Sequence, residues 1–373
     1  MESPAAASRI PVLGRIRGFM FCILMILSSS LGAVFVLFPT LPLILINRKL
    51  WRWLVDHIIA VWESYPIALL HIMCGVEVTV FGDEINPAEN SMIIMNHRTR
   101  LDWLFLWTAL FPHALPRHKI ILKKDLKFLP GSGWSMQTAG FLFLDRKWEN
   151  DQILFKDSVE YIKHDGRKVN MLLFPEGTDL NPKSRGRSDA FALTNGRPKL
   201  EHCLYPRVRG FTFLYETMRK NDLLDAIYDI AVVYPEDIIQ SEKDLFTKGP
   251  PRSIYFHVKR YAVSELPSPD SQPELEQWLF DCWARKDVQL GEFYSRLAFS
   301  DNLQGRRLND IPLLYLSVIV WSFAVCFWIW LIWSSFLALA YFVVAGIVYT
   351  LITFKLNGID RYELARFRRE LAL

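Results

Sequence analysis

Residues 311–354 contain no charged side chain, a run of 44, and nothing else in the sequence limits the fold so strongly. As helix it would extend about 66 Å at 1.5 Å per residue, twice the roughly 30 Å hydrocarbon core of a bilayer. One straight crossing cannot use that length, whereas two crossings turning near Trp333, Ser334 and Ser335 can. Arg306 and Arg307 precede the run, and Lys355, Arg361, Arg366, Arg368 and Arg369 follow it. A hairpin sets both basic flanks on one side, which the positive-inside rule makes cytosolic.

A second uncharged run, of 30 residues, covers 18–47. Pro39 and Pro42 break its far end, so the spanning part is expected at 18–38. A cleaved signal peptide is the alternative, since Arg15 and Arg17 precede the run, although the apolar part of a signal peptide is usually only about 7–15 residues. Arg9, Arg15 and Arg17 on one side are balanced by Arg48, Lys49 and Arg52 on the other, which leaves the orientation of this end open. The chain therefore divides into an N-terminal membrane region (1–47), a stretch at 48–75, a globular domain (76–300), and a C-terminal hairpin with a basic tail (301–373). The 48–75 stretch, with Trp51, Trp53, Trp62 and Tyr65, reads as a helix at the membrane interface or as a buried helix of the globular domain. An apolar content of 51% and a mean hydropathy of +0.14 matter because they are concentrated in these segments. The net charge of +4 is too diffuse for a nucleic-acid partner and suits an anionic membrane surface or phosphate-bearing substrates. Cys22, Cys74, Cys203, Cys282 and Cys326 are scattered and form no CxxC pair, so the sequence suggests neither a disulfide framework nor a metal site, and points to a reducing compartment.

Within 76–300, short apolar runs at 76–81, 91–95, 119–122, 141–144, 171–174, 230–234 and 253–258 read as strands. Helical patterns lie at 101–110, 152–164 and 280–298. Strands alternating with helices predict an α/β fold with a mostly parallel sheet flanked by helices, in which chemistry gathers at the carboxyl ends of the strands.

The informative residues sit at such ends. In NHRTRLD at 96–102, His97 and Asp102 are five residues apart. Regular helix or strand would hold them on different faces. They meet only if His97 lies in a turn and Asp102 in the first turn of the next helix, where a carboxylate can orient an imidazole as general base. Thr99 and Asp102 alone also read as a capping box, and one carboxylate can serve both roles. In GFLFLDR at 140–146, Arg146 lies just past a strand and is placed to grip a phosphate; a surface arginine paired with an acid is the ordinary alternative. FPEGT at 174–178 ends another strand, and around Gly177 backbone can approach an anion; an ordinary strand-to-helix turn is the commoner reading of such a segment taken alone. Tyr234, Pro235 and Glu236 end a fourth strand and are expected to shape a site wall. Lys123, Lys124 and Lys127 form a basic stretch, either a solvated face or a contact for lipid headgroups or CoA phosphates.

His-x4-Asp, GxxFxxR, FPEGT and a proline-closed strand, in that order over about residues 90–236, resemble the glycerolipid acyltransferase family of lysophosphatidic acid acyltransferases. KKDLKFLPGSGW at 123–134 is similar to that family too. The runs MNHRTRLDWLFLW, FPEGTDL, GFTF and FHVKRY resemble most its lysocardiolipin acyltransferase branch. The resemblance implies a membrane enzyme, expected in the endoplasmic reticulum, that moves a fatty acyl group from acyl-CoA (a co-substrate, with no cofactor or metal) to a lysophospholipid. It implies His97 and Asp102 as catalytic residues. Gly140, Arg146, Glu176, Gly177 and Thr178, with Lys123 and Lys124, would bind substrate, and backbone N–H groups after His97 would hold the oxyanion. The phosphatidic-acid-forming members usually carry arginine after FPEGT, where this chain has Asp179. Losing a cation there favours a phosphodiester headgroup, as in lysophosphatidylinositol, lysophosphatidylglycerol or lysocardiolipin, over lysophosphatidic acid, although Arg185 and Arg187 lie near in sequence. Formation of phosphatidic acid, a CoA-independent transacylase or phospholipase, and a membrane scaffold without catalysis are the competing readings.

Overall fold

The computed structural model describes residues 12–299, 304–308 and 310–372. Arg9, the first part of the 1–47 region and the 300–303 junction lie outside the described residues. Strands β1 (Glu77–Gly82), β2 (Ser91–Met95), β3 (His118–Lys123), β4 (Leu142–Leu144), β5 (Asn170–Leu173), β6 (Ala226–Val233), β7 (Ser253–Ala262) and β8 (Arg306–Arg307) form one sheet in the order β4-β3-β5-β2-β6-β7-β1-β8. The five strands from β4 to β6 run parallel, β7 is antiparallel to β6, β1 is parallel to β7, and β8 closes the edge antiparallel to β1. The mostly parallel α/β sheet expected from the sequence is the observed one, with mixed pairing confined to one side.

Side-chain alternation divides the core in two. Ile93 and Met95 of β2, with Tyr228, Ile230 and Val232 of β6, face a cluster built with the apolar N-terminal helix, the helix Arg48–Ala68 and Leu314, Trp321 and Tyr349 of the C-terminal helices. Met92 and Ile94, with Ile227, Ala231 and Val233, face the helices Trp148–Asp165, Val208–Lys220 and Gln272–Arg296. Both faces are covered, as a parallel sheet requires, and one of the two layers is made by the apolar helices.

Three helical segments are long and apolar enough to cross a membrane by length and composition: Val12–Ile46, Ile311–Ser334 and Phe336–Lys355. The last two meet at Ser335, whose side chain accepts the N–H of Ala338 and starts the second helix. The first departs from regular helix at Ala33–Leu37, a π-helical turn. There the Ala33 and Val34 carbonyls accept the hydroxyls of Tyr349 and Tyr341, at 3.0 and 3.1 Å. Ser29 bonds Ser132 at 2.8 Å, so this helix is built into the globular domain, and removing it as a leader would strip a wall from the molecule.

The 48–75 stretch is a helix packed on the globular domain, Arg48–Ala68 and its π-helical end Leu69–Met73. Trp51, Val55 and Ile59 are buried in the core, while Leu50, Trp53 and Val61 are exposed. Arg48 and Arg52 are not the free flanking cations that the charge count assumed. Arg48 pairs with Asp165 at 2.9 Å, and Arg52 is held by Glu363 and by the Thr138 carbonyl at 2.8 Å. The basic tail is likewise no tail. It folds as the helix Ile359–Leu371 and docks on the domain through Glu363, through Asp360 against Lys127 at 2.8 Å, and through Phe367.

Candidate active site

Register explains why the sequence motifs converge. Ile94 of β2 is level with Leu173 of β5 and with Asp229 of β6, and Lys123 of β3 is level with Leu144 of β4. The segments that follow these ends therefore emerge side by side at the carboxyl edge of the parallel strands, carrying His97, Phe174 to Asp179, Tyr234 and Arg146.

After β2 the chain turns, and the helix Asp102–Leu110 begins. This places His97 Nδ1 at 3.0 Å from Asp102 Oδ2. The same carboxylate accepts the Thr99 N–H at 2.9 Å and the Thr99 hydroxyl at 3.0 Å, so the cap and the histidine pair coexist. Tyr234, at the end of β6, donates its hydroxyl to Asp102 Oδ1 at 2.5 Å. Burial keeps that phenol protonated, raised well above its ordinary range, and the neighbouring Asp102 reinforces the shift. A carboxylate only accepts, so Nδ1 carries the imidazole proton and Nε2 is left as the basic nitrogen. The ring lies against Phe174, with centroids 4.2 Å apart, which fixes its plane.

Not every predicted contributor faces the same space. A cavity of about 910 Å³ is lined by His97, Lys123, Arg146, Gly177, Thr178 and Asp179. Its apolar wall comes from Met25, Ile26 and Gly32 of the N-terminal helix, Trp103 and Trp107, and Trp321 of the C-terminal pair. Lys124 turns away, pairs with Asp145 at 2.8 Å and lines a smaller cavity of about 380 Å³. Gly140, at φ +69°, leaves room for the guanidinium of Arg52, which stands 3.2 Å from where a Cβ would be; its neighbours Ala139 and Phe141 line the main cavity instead. Arg146 holds a left-handed backbone (φ 59°) without being glycine, a strain of about 1–2 kcal/mol at the rim of the cavity.

Glu176 is buried. Its Oε1 accepts the Trp283 indole N–H at 3.1 Å and the backbone N–H of His97 at 3.3 Å, so it braces the histidine turn from behind. Burial pushes its carboxyl up to about 7, against the opposing bond from Trp283 and the neighbouring His97. A raised acid binds its proton more tightly folded than unfolded, so its contribution to stability is full below the unfolded value and is lost as pH rises toward about 7. Glutamine at 176 keeps the acceptor oxygen without titrating. We expect Glu176→Gln to flatten the fall in apparent unfolding temperature between about pH 4.5 and pH 7. Thermal unfolding of the detergent-solubilised protein across that range checks this; a variant curve parallel to wild type would contradict it.

The turn after His97 has little left to offer an oxyanion. The N–H groups of Thr99, Arg100 and Leu101 bond to Asp102, to the Gln240 carbonyl and to the Thr99 hydroxyl. Sequence reading missed three further parts. Gln240 donates to Asp179 Oδ2 at 2.9 Å and to the Arg98 carbonyl at 3.2 Å, tying the two loops together. Trp283 reaches in from a helix about a hundred residues on. Arg207 lies against Gly177, with its side chain 3.2 Å from the position of a Cβ there. None carries a local signal, because each acts through a contact distant in sequence.

An imidazole–carboxylate pair whose histidine opens onto a cavity lined largely by apolar side chains, on an α/β sheet backed by apolar helices, is suited to chemistry on an apolar substrate. Residues 77–234 match the acyltransferase family and residues 244–328 the acyltransferase C-terminus family. The chain is an acyltransferase of the glycerolipid acyltransferase family. It is 46% identical over 279 residues to zebrafish (Danio rerio) lysocardiolipin acyltransferase 1, covering 74% of this chain and 71% of that one. To the mouse (Mus musculus) lysocardiolipin acyltransferase 1 it is 37% identical over 370 residues, 94% and 95% of the two chains. To Caenorhabditis elegans lysophosphatidylinositol acyltransferase 10 it is 42% identical over 293 residues, 77% and 74%. Within the family it falls on the lysocardiolipin acyltransferase branch.

Proposed function

We propose that this enzyme transfers a fatty acyl group from acyl-CoA to the free hydroxyl of a lysophospholipid, as a multi-pass protein of the endoplasmic reticulum membrane. The observation that carries the reading is the His97–Asp102 pair opening onto a cavity with a cationic rim and an apolar interior. His97 Nε2 takes the proton of the acceptor hydroxyl as its oxygen attacks the thioester carbonyl. The tetrahedral intermediate collapses with loss of the CoA thiolate, which takes the proton back from the imidazolium. The ester forms, the thioester breaks, and no acyl-enzyme is required. General-base assistance accounts for about 10²–10⁴-fold, and orientation of two substrates for much of the rest.

The acceptor headgroup is a phosphodiester, in this reading. Asp179 lines the cavity, is held by Gln240, and has Arg100 Nε at 3.8 Å. A fixed anion at the rim opposes the second charge of a phosphomonoester more than it opposes a singly charged diester. Lysophosphatidylinositol, lysophosphatidylglycerol and lysocardiolipin fit this, as do the names of the relatives above. The test is a microsomal assay with labelled acyl-CoA and a panel of lysophospholipids, run on wild type and Asp179→Arg. Wild type is expected to favour the diesters, and Asp179→Arg to shift preference toward lysophosphatidic acid by about tenfold. Preferential use of lysophosphatidic acid by wild type would make the chain a phosphatidic-acid-forming enzyme instead, and turnover without acyl-CoA would make it a transacylase or phospholipase.

A further inference from the structure

We propose that Arg207 is the residue that anchors the acceptor's phosphate, taking the place of the cation that Asp179 does not supply. This rests on the reading of the chain as a lysophospholipid acyltransferase and deepens it. Among the cations that line the cavity, Arg100 lies beside Asp179, and Arg209 stacks its guanidinium 4.4 Å above the ring of Trp148. Arg207 has no carboxylate partner among the described residues. Its backbone N–H is pinned to the Pro175 carbonyl at 2.7 Å, and its side chain lies over Gly177, where Cδ and Nε stand 3.2 Å from the position of a Cβ. Gly177 closes the turn to the Phe174 carbonyl at 2.9 Å, and Phe174 carries the ring of His97 on its face. The base and this guanidinium therefore sit at opposite ends of one four-residue turn.

Chemistry decides which phosphate fits there. In a lysophospholipid the reacting hydroxyl and the phosphate share one glycerol unit, so a hydroxyl at His97 Nε2 brings its phosphate close to the same turn. In acyl-CoA the whole pantetheine arm separates the thioester from the nearest phosphate, which must lie much farther from His97. Lys123 and Arg146 remain for that end. A guanidinium holds a phosphate through two parallel N–H bonds that an ammonium cannot reproduce. Gly177 has a defined part in this arrangement: any side chain there would displace Arg207 and would also have to adopt φ +70°.

The experiment measures steady-state kinetics of purified full-length wild type, Arg207→Gln and Arg207→Lys with oleoyl-CoA. Lysophosphatidylinositol is one acceptor, and the phosphate-free 2-monoacylglycerol is the other. We expect Arg207→Gln to raise KM for the lysophospholipid about ten- to a hundredfold, with Arg207→Lys between it and wild type. KM for oleoyl-CoA and turnover of the phosphate-free acceptor should stay unchanged. A rise in the acyl-CoA KM instead, or an equal loss with both acceptors, would overturn the assignment while leaving the acyltransferase reading intact. A wild-type protein inactive with every lysophospholipid would overturn that reading itself, and this inference with it. Arg207 is exposed, and equal unfolding temperatures of the three proteins will show that the kinetics report binding.

Discussion

Replacing His97 with alanine is expected to lower acyl transfer by about 10²–10⁴-fold while leaving a folded protein. Activity falls because Nε2 of this ring is the basic nitrogen presented to the cavity, and no second histidine among the described residues lines it. Folding survives because of what remains around Asp102. The carboxylate is completely buried and would be costly to leave unpaired. Yet it keeps the Thr99 N–H, the Thr99 hydroxyl and the Tyr234 hydroxyl, at 2.9, 3.0 and 2.5 Å, when the imidazole is gone. Three donors still satisfy the anion, and the Phe174 face gains only a small exposed patch. Turnover with radiolabelled acyl-CoA, read beside the unfolding temperature, checks both halves. Turnover of the alanine variant within a few-fold of wild type would end the general-base assignment.

The second large effect separates two functions of Asp102. Alanine at this position removes the acceptor for Nδ1–H, frees the tautomer and leaves Tyr234 and Thr99 without their partner; we expect a loss on the order of 10³–10⁴, with a lower unfolding temperature. Asparagine is a milder change here. Its oxygen can occupy the Oδ2 position facing His97 Nδ1 and the Thr99 N–H, while its NH₂ faces two hydroxyls that can turn to accept it. The tautomer then persists, and only the negative charge that steadies the imidazolium is lost. Asp102→Asn is expected to retain at least tenfold more activity than Asp102→Ala and to unfold near the wild-type temperature. Equal loss in the two variants would mean that charge alone explains the role of Asp102.

The sequence displayed the fold where patterns were local and concealed it where they were not. Strand β2 reads as SMIIM and the apolar runs as membrane-length helix because the pattern lies within the segment. The first half of β6 escaped because Tyr228 and Asp229 interrupt it. In the structure Tyr228 bonds Glu89 at 2.7 Å, and Asp229 pairs with Lys286, so polar side chains are buried at the price of distant partners. The helix Ile359–Leu371 looked like a basic tail because its buried Asp360 and Glu363 are charged, and their burial is made tolerable by Lys127, Arg361, Arg52 and Tyr161. At the site, His97 and Asp102 were visible from spacing and turn chemistry. Arg207, Gln240 and Trp283 were not, since what brings them in is contact between segments far apart in sequence. Lys124 shows the converse: position in a motif does not say which way a side chain turns.

The union of Arg52 with Glu363 and of Arg48 with Glu370 sets an order of assembly. Arg52 is made early in translation and its partner 311 residues later, after both apolar helices at the far end have emerged. Until Glu363 has been made, the only carboxylate near that buried guanidinium among the described residues is Asp56, at 3.4 Å. A chain cut before residue 363 loses the carboxylate that Arg52 Nε and Nη2 both engage, at about 3–5 kcal/mol, so this part of the core is completed only after the two apolar helices that precede Glu363 are in place.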